Sequence, residues 1–238
     1  MRIRLLSALI LVVGVMYSQD TTSFYTQAKH INFGRLWILD SIDTEHGHRV
    51  KRPEPLGFIG DNYQRFRIHL ISVIKNNDNP YEYMIYGKSK VKTNICEFQG
   101  RLVIKQVYIY KNPEVPEYKT GYLKGEYYFT ENKKDRGTGY FKGIFTTYWY
   151  FDKNNLLKYD FLMSDADGFS NNEFVGTWTS YQDGQSKKCN WGDFRIPDSG
   201  DLDVGAGEFG VATKYENNGW KDYTSIWDAK SKELEWWK

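Results

Sequence analysis

The sequence predicts an all-β fold, a single antiparallel meander that closes into a barrel with lipocalin-like or avidin-like architecture. Short runs of strand-forming residues follow one another closely from residue 65 onward, and clusters of turn-forming residues separate them. Aromatic residues, which favour strands, make up 17% of the chain. Because the connections between successive runs are short, we expect neighbouring strands to pair antiparallel, which argues against an α/β fold.

The first strand of the meander is predicted over residues 65–74. Polar and apolar residues alternate as far as Leu70 and apolar residues then continue, as in a strand that enters a buried sheet. Six further runs of this kind cover residues 81–86, 101–110, 122–129, 139–151, 156–163 and 173–181. The stretches between them that favour hairpins are residues 75–80, 112–113, 131–137 and 152–155.

A short internal repeat supports closure of the sheet. Gly121-Tyr-Leu-Lys-Gly125 recurs as Gly139-Tyr-Phe-Lys-Gly143, so that two predicted neighbouring strands each carry two glycines. Glycine within a strand marks a bend, a bulge or the close approach of another group. Two such pairs would let the sheet coil tightly into a barrel.

The two ends of the chain are predicted to lie outside the meander. Residues 1–18 have the layout of a secretory signal peptide, with a cationic start, a short apolar run and then small or polar residues. The alternative is an uncleaved membrane anchor. Residues 19–238 then form a single β domain, secreted or periplasmic, with no membrane span after signal removal. Short helices are expected at 20–29 and 225–238, with Trp236 and Trp237 docked on the body.

Charge excludes two classes of partner. Lys and Arg nearly balance Asp and Glu, and the formal net charge is +2. So small a charge gives no strong field toward a nucleic acid or an anionic lipid surface. We therefore expect no nucleic-acid partner.

The chain has two cysteines, Cys96 and Cys189, far apart in the sequence. In an oxidising compartment such a pair predicts one long-range disulfide. No Cys-x-x-Cys spacing is present that would indicate a metal site.

One loop has the composition of a calcium site. Asp165, Asp167, Asn171 and Glu173 surround Gly168 just before a predicted strand, and oxygen ligands on a glycine turn suit a hard cation. The EF-hand pattern is incomplete, since a third Asp or Asn before the glycine and the Glu at the twelfth position are missing. The alternative is a hairpin loop whose polar side chains bond their own backbone. Apart from calcium, no cofactor is expected.

A second, glycine-rich loop is the candidate recognition surface. Five carboxylates create local negative potential around it, and they belong to Asp193, Asp198, Asp201, Asp203 and Glu208. We expect the loop to act together with tryptophans. The candidate ligand-binding residues are Trp149, Trp178, Trp191, Asp198, Asp201, Asp203 and Glu208. The alternative is a long ordered surface loop without a ligand.

Five segments together resemble a family of secreted, β-rich proteins from Gram-negative bacteria. These segments are residues 61–66, 87–91, 166–172, 189–193 and 195–203, and the resemblance covers most of the chain after the signal. The family has no assigned activity. The resemblance therefore implies export and a single domain, and it transfers no catalytic residue.

These observations favour an exported, non-catalytic binding protein. Small ligands usually bind at the mouths of barrels of this kind. The ligand is expected to be a small molecule, a glycan or a peptide. Two alternatives stay open: a carbohydrate-active hydrolase that uses a pair among Asp167, Asp201 and Glu208, and a structural or adhesive surface protein.

Overall fold

A computed structural model describes residues 20–44, 47–221, 223 and 235–238. The predicted signal peptide, and most of the C-terminal segment predicted to be helical, lie outside these residues. Within them, no helix has the length and apolar character needed to cross a membrane.

The described part of the chain contains twelve strands, which form a ten-stranded antiparallel sheet and a separate pair, β2 with β3. The strands are β1 (Thr21–Ser23), β2 (Ser41–Asp43), β3 (Arg49–Lys51), β4 (Leu56–Ile59), β5 (Gln64–Lys75), β6 (Glu82–Val91), β7 (Asn94–Tyr110), β8 (Lys119–Glu131), β9 (Gly139–Phe151), β10 (Leu157–Tyr159), β11 (Asn171–Ser180) and β12 (Ser186–Asp193). The predicted all-β antiparallel class is confirmed.

Helix is confined to one- or two-turn segments in the described residues. The α-helical turns are α1 (Tyr25–Ala28) and α2 (Arg35–Ile38), and 3-10 turns lie at Gly200–Leu202 and Thr213–Asn218. The short helix predicted within 20–29 is present only as the turn Tyr25–Ala28, because Thr21–Ser23 pair with β7 as a strand.

Eight strands of the larger sheet form a closed ring of hydrogen-bonded pairs. Their order is β4, β5, β6, β7, β8, β9, β11, β12 and back to β4, and each pairs antiparallel with the next. We call this arrangement the eight-strand ring. Its shortest joint is between β4 and β5, where only Phe58 with Arg65 and Ile59 with Gln64 are in register.

The seven predicted strands are all present, but their ends differ. β9 spans the predicted 139–151, β6 and β7 extend farther toward the hairpin that joins them, and β10 has only three residues. The sequence pattern does not predict β4 or β12, although both complete the ring. β4 is only four residues long, and β12 carries Ser, Lys, Asn and Gly in place of a clear alternation.

The two ends of the eight-strand ring differ. At the first, which we call the hairpin end, tight turns join β4 to β5, β6 to β7, β8 to β9 and β11 to β12. At the other, the plugged end, the N-terminal segment closes the interior. Trp37 of α2 packs edge-on against Tyr83 and Phe145 and donates a hydrogen bond from Nε1 to Thr147 Oγ1 at 2.9 Å.

A buried ion pair holds the plugged end together. Asp193 is fully buried and accepts a bidentate interaction from Arg52, with N to O distances of 2.8 and 3.1 Å. The Tyr159 hydroxyl and the Asn172 side-chain amide also donate to it, at 2.8 and 2.9 Å. Arg52 further donates to the carbonyl of Trp37 at 2.9 Å. Because both charges have several partners, this network ties the segments of the plugged end together, and it also lines a cavity of about 220 Å³ beside Trp37 and Trp237.

Aromatic rings fill the interior of the eight-strand ring. Trp191 lies at their centre, and its ring centroid is 4.8 to 6.5 Å from those of five others, which are Phe66, Tyr127, Phe129, Phe141 and Phe174. Removal of each such side chain from water contributes about 1.5–3 kcal/mol. Many of the aromatic residues therefore form the core.

The mid-strand glycines make room for these rings. A Cβ on Gly125 would lie 2.6 Å from the ring of Phe145, and one on Gly143 would lie 2.8 Å from the ring of Tyr127. The pairing of β7 with β8 also shifts register next to Gly125. The prediction of bulges and close approach at the repeated glycines is confirmed at these positions.

The predicted disulfide is wrong. Cys96 and Cys189 are both free and buried, and they are far apart. Cys96 lies in β7 and Cys189 in β12, and these strands stand four steps apart in either direction around the eight-strand ring. The interior therefore separates them, whereas a disulfide requires Cα atoms within about 7 Å.

The last described residues lie against β5. Trp237 stacks on His69, with ring centroids 3.8 Å apart, and Trp236 packs edge-on against Trp237. His69 Nδ1 also lies 3.1 Å from a carboxylate oxygen of Glu54. The predicted docking of the C-terminal tryptophans on the body is confirmed for Trp237.

Candidate functional site

A cavity of about 780 Å³ opens at the hairpin end, and we call it the cup. Side chains from β4 to β9, from β11 and β12 and from the turns between them line it, so that closure of the ring is what assembles it. The aromatic residues of its lining are Phe66, Phe141 and Trp178. Phe66 and Phe141 also pack against Trp191, which places the aromatic core directly beneath the cup.

The rim of the cup is rich in side-chain amides. They are Asn62, Gln64, Asn94, Gln185 and Asn218, and each amide offers both donors and an acceptor. Lys92, Lys187 and Asp61 also line the cup. The lining therefore combines aromatic faces with a dense set of neutral hydrogen-bonding groups, as ligand pockets commonly do.

Glu131 is the buried charge of the cup. It is the last residue of β8 and is only 5% exposed. Its carboxylate accepts hydrogen bonds from Ser89 Oγ at 2.7 Å, Gly139 N at 2.8 Å and Trp178 Nε1 at 2.9 Å. Burial raises the pKa of the Glu131 carboxyl, and these hydrogen bonds partly offset that rise. The carboxyl thus links three other strands of the ring.

Cys96 lies beside Glu131 in the cup. Burial, together with the nearby charge of Glu131, raises the pKa of the Cys96 thiol to about 11. A thiol with so high a pKa stays protonated at neutral pH and is a poor nucleophile. Asn94 donates to its sulfur at 3.3 Å. Cys96 is therefore not poised as a covalent nucleophile in the cup.

The three candidate tryptophans lie in different places. Trp149 and Trp191 are 0% and 2% exposed and belong to the core, so neither forms a contact surface. Trp178 is partly exposed and lines the cup, where its Nε1 donates to Glu131. Of the three, the structure places only Trp178 at the candidate site.

The acidic glycine-rich loop is folded around its own cations. Arg195 donates to Asp203 at 2.6 Å and, through Nη2, to the four carbonyls of residues 205–208 at 2.8 to 3.1 Å. Asp201 pairs with Lys214 and accepts from the Tyr215 hydroxyl. The carbonyl of Asp198 accepts from a lysine side chain at 2.7 Å. These contacts occupy the carboxylates of Asp201 and Asp203 and the main-chain carbonyls of the loop.

The four residues predicted to bind calcium do not converge. Asn171 is fully buried and uses its side chain to hold the main chain of Tyr148, while Glu173 accepts from Ser170 Oγ. Among the described residues, no group of three or more His, Cys, Asp or Glu side chains is placed to hold a metal ion.

The two predicted loops do meet at another cavity. Asp165, Asp167 and Glu208 line a space of about 620 Å³, whereas Asp201 lies elsewhere with Lys214. Of the carboxylates suggested for hydrolysis, Asp167 and Glu208 therefore share a cavity and Asp201 does not.

Sequence reasoning missed Glu131, which it placed in a turn. The signal was its spacing: Tyr127, Phe129 and Glu131 alternate along one face of β8, and all three are buried. Comparison with protein-family models, curated proteins and solved structures finds no match to this chain. The resemblance to secreted bacterial proteins therefore stays a prediction.

Proposed function

We propose that this chain is an exported, non-catalytic binding protein with a lipocalin-like or avidin-like barrel, and that the cup binds a saccharide. The observation that carries the proposal is the cup itself, a cavity of about 780 Å³ lined by aromatic faces and amides. Sites for small ligands typically enclose about 300–1,000 Å³. The interior of a barrel of about eight strands is wide enough either to be filled by side chains or to hold one small ligand.

The lining favours a saccharide over other small molecules. A sugar ring presents an apolar face that packs on an aromatic side chain, and Trp178 offers such a face in the cup. Its hydroxyl groups both donate and accept hydrogen bonds, as amides do. Gln64, Asn94 and Asn218 already donate to main-chain carbonyls, which leaves the amides of Asn62 and Gln185 and the other amide oxygens of the rim for a ligand. The raised pKa of the buried Glu131 carboxyl reflects the cost of burying a charge there. A hydrogen bond donated to this carboxylate by a hydroxyl group of the ligand would reduce that cost.

The experiment is a glycan array of mono- to tetrasaccharides, followed by calorimetric titration of the strongest saccharide into the mature protein. The test variant is Gln185→Ala, which removes an exposed amide from the rim, and the matched control is Gln182→Ala. Both residues lie in the turn between β11 and β12, but only Gln185 lines the cup. Loss of one hydrogen bond is worth about 0.5–1.5 kcal/mol, so we expect about twofold to tenfold weaker binding for Gln185→Ala alone.

Two results would overturn the proposal. Equal affinities for the two variants would place the saccharide outside the cup, and the absence of any saccharide bound at millimolar concentration would remove the ligand class. Chromatography of the recovered saccharide tests the hydrolase alternative. Intact saccharide supports binding alone, whereas a shortened product would replace the proposal with catalysis.

A further inference from the structure

A second concave site lies on the outer face of the eight-strand ring, toward the plugged end. It encloses about 250 Å³ between Tyr110 of β7, Tyr148 of β9 and two segments that pack over them, residues 112–115 and 160–170. Tyr110 and Tyr148 flank Tyr122, with ring centroids 5.5 and 6.2 Å from it. We call this site the tyrosine groove.

The tyrosine groove is lined by carboxylates and not by cations. Asp160 and Glu114 contribute the two charges, and among the described residues that line it none is Lys or Arg. This composition is unusual for a chain whose Lys and Arg slightly outnumber its Asp and Glu. The groove therefore carries negative potential, and the lysine that lies near it is Lys124, whose Nζ is 5.4 Å from the ring centroid of Tyr122.

Asp160 is the inner of the two carboxylates. Its Oδ1 accepts a hydrogen bond from the Leu162 N–H at 3.1 Å, the only side-chain acceptor contact it makes with the described residues. Burial raises the pKa of the Asp160 carboxyl, and the charge of Glu114 adds to that rise. A carboxylate in this setting gains more from an added cation than an exposed one does.

The remaining walls are aromatic or apolar. They include Tyr110, Tyr148 and Phe169, together with Leu162 and Met163. Burial raises the pKa of the Tyr148 phenol to about 12, so this ring is neutral at physiological pH. A neutral aromatic face attracts a cation through its quadrupole, and aromatic walls beside a carboxylate recognise alkylated ammonium groups.

We infer that the tyrosine groove binds a small alkylammonium ion, with the ammonium facing Asp160 and its alkyl groups against Tyr110, Tyr148 and Phe169. An inorganic cation fits less well, because no described group of three metal-ligating side chains is present. An anionic ligand is excluded by the charges of Asp160 and Glu114. This site is separate from the cup and does not depend on the saccharide proposal.

The probe is choline chloride, titrated by NMR or calorimetry at constant ionic strength. Its control is 3,3-dimethyl-1-butanol, which has the same shape and no charge. We expect choline to bind in the millimolar range or tighter, and the neutral compound to bind at least tenfold more weakly. Equal affinities for the two compounds would overturn the inference. So would the absence of choline binding at concentrations up to about 50 mM.

Variants locate the bound cation. Asp160→Asn keeps an acceptor for the Leu162 N–H and removes the charge, and we expect choline to bind about tenfold more weakly. Glu114→Gln changes an exposed residue, and we expect choline to bind about twofold to threefold more weakly. The matched control is Asp183→Asn, an exposed acid in the turn between β11 and β12 at the hairpin end, which should leave choline affinity unchanged.

The variant series also separates the two proposals. Gln185→Ala, which alters the cup, should leave choline binding unchanged. If Asp160→Asn and Asp183→Asn weaken choline binding equally, the effect is one of overall charge, and the tyrosine groove is not the site. If Gln185→Ala weakens choline binding while Asp160→Asn does not, the cation lies in the cup.

Discussion

Replacement of Glu131 should reveal how much the hairpin end depends on one carboxyl. Glu131→Ala would leave the Ser89 hydroxyl, the Gly139 N–H and the Trp178 N–H without their common acceptor. A hydrogen bond to a charged group is worth about 1.5–3 kcal/mol, but the desolvation cost of the buried carboxyl offsets part of the sum. We therefore expect a loss of about 3 kcal/mol in the free energy of unfolding, which lowers Tm by about 6–12 °C.

Glu131→Gln separates the hydrogen bonds from the charge. The Gln amide oxygen can accept from Gly139 and Trp178, while its NH₂ donates to Ser89, whose hydroxyl also accepts. We expect this variant to differ from the wild type by less than about 1 kcal/mol at pH 7. The pH dependence gives a further check. Because the folded pKa of Glu131 is raised, its stabilising contribution is complete below the ordinary Glu pKa and is lost as pH rises through the folded value.

The assay is urea unfolding followed by tryptophan fluorescence, at pH 4 and at pH 7. The matched control is Glu126→Ala on the same strand, an outward-facing residue whose side chain is 64% exposed and which pairs with Lys105. Such surface pairs contribute about 0–1 kcal/mol. Equal losses in the free energy of unfolding for Glu131→Ala and Glu126→Ala would refute the reasoning. It would also be refuted if the free energy of unfolding fell between pH 4 and pH 7 by the same amount in Glu131→Gln as in the wild type.

Three further outcomes are expected. Cys96 and Cys189 should both react with Ellman's reagent in denaturant. In the native protein Cys189 should not react, because it is fully buried, and Cys96, which lines the cup, should react slowly because the pKa of its thiol is raised to about 11. Material without reactive thiols in denaturant would contradict the free-cysteine assignment. Asp193→Asn should lower the free energy of unfolding by about 3–5 kcal/mol in urea melts, because it leaves the Arg52 charge buried without its partner; a loss below about 1 kcal/mol would show that the ion pair is not needed. Gly143→Ala should cost at least about 2 kcal/mol by the same measurement, since its Cβ would lie 2.1 Å from a main-chain oxygen of β11; an unchanged midpoint would contradict the close approach.

The sequence predicts the longer strands well because each satisfies a local rule. Residues 139–151 combine glycine, aromatic and β-branched residues, and the strand has these bounds in the structure. The sequence pattern does not predict β4 or β12, because their own composition does not favour a strand and their pairing with neighbouring strands stabilises them as strands. The closure of β12 onto β4 therefore could not be predicted from either segment alone.

The candidate site is harder to predict because it depends on which face of each strand is inside. Trp149 and Trp178 both lie on strands of aromatic character, but one is fully buried and the other lines the cup. Glu131 required knowledge that β8 continues past Phe129 before the chain turns. The disulfide prediction failed for a related reason: Cys96 and Cys189 have opposite places in the eight-strand ring, which spacing along the chain does not show.

The two-pair joint between β4 and β5 has a consequence for local opening. Fewer ladder bonds must break to separate these strands than at any other joint of the ring. The amide protons of β4 should therefore exchange with deuterated solvent sooner than those of β8, which is paired along its length on both sides. Local opening of the ring is therefore expected to begin between β4 and β5, and not between the long paired strands around β8.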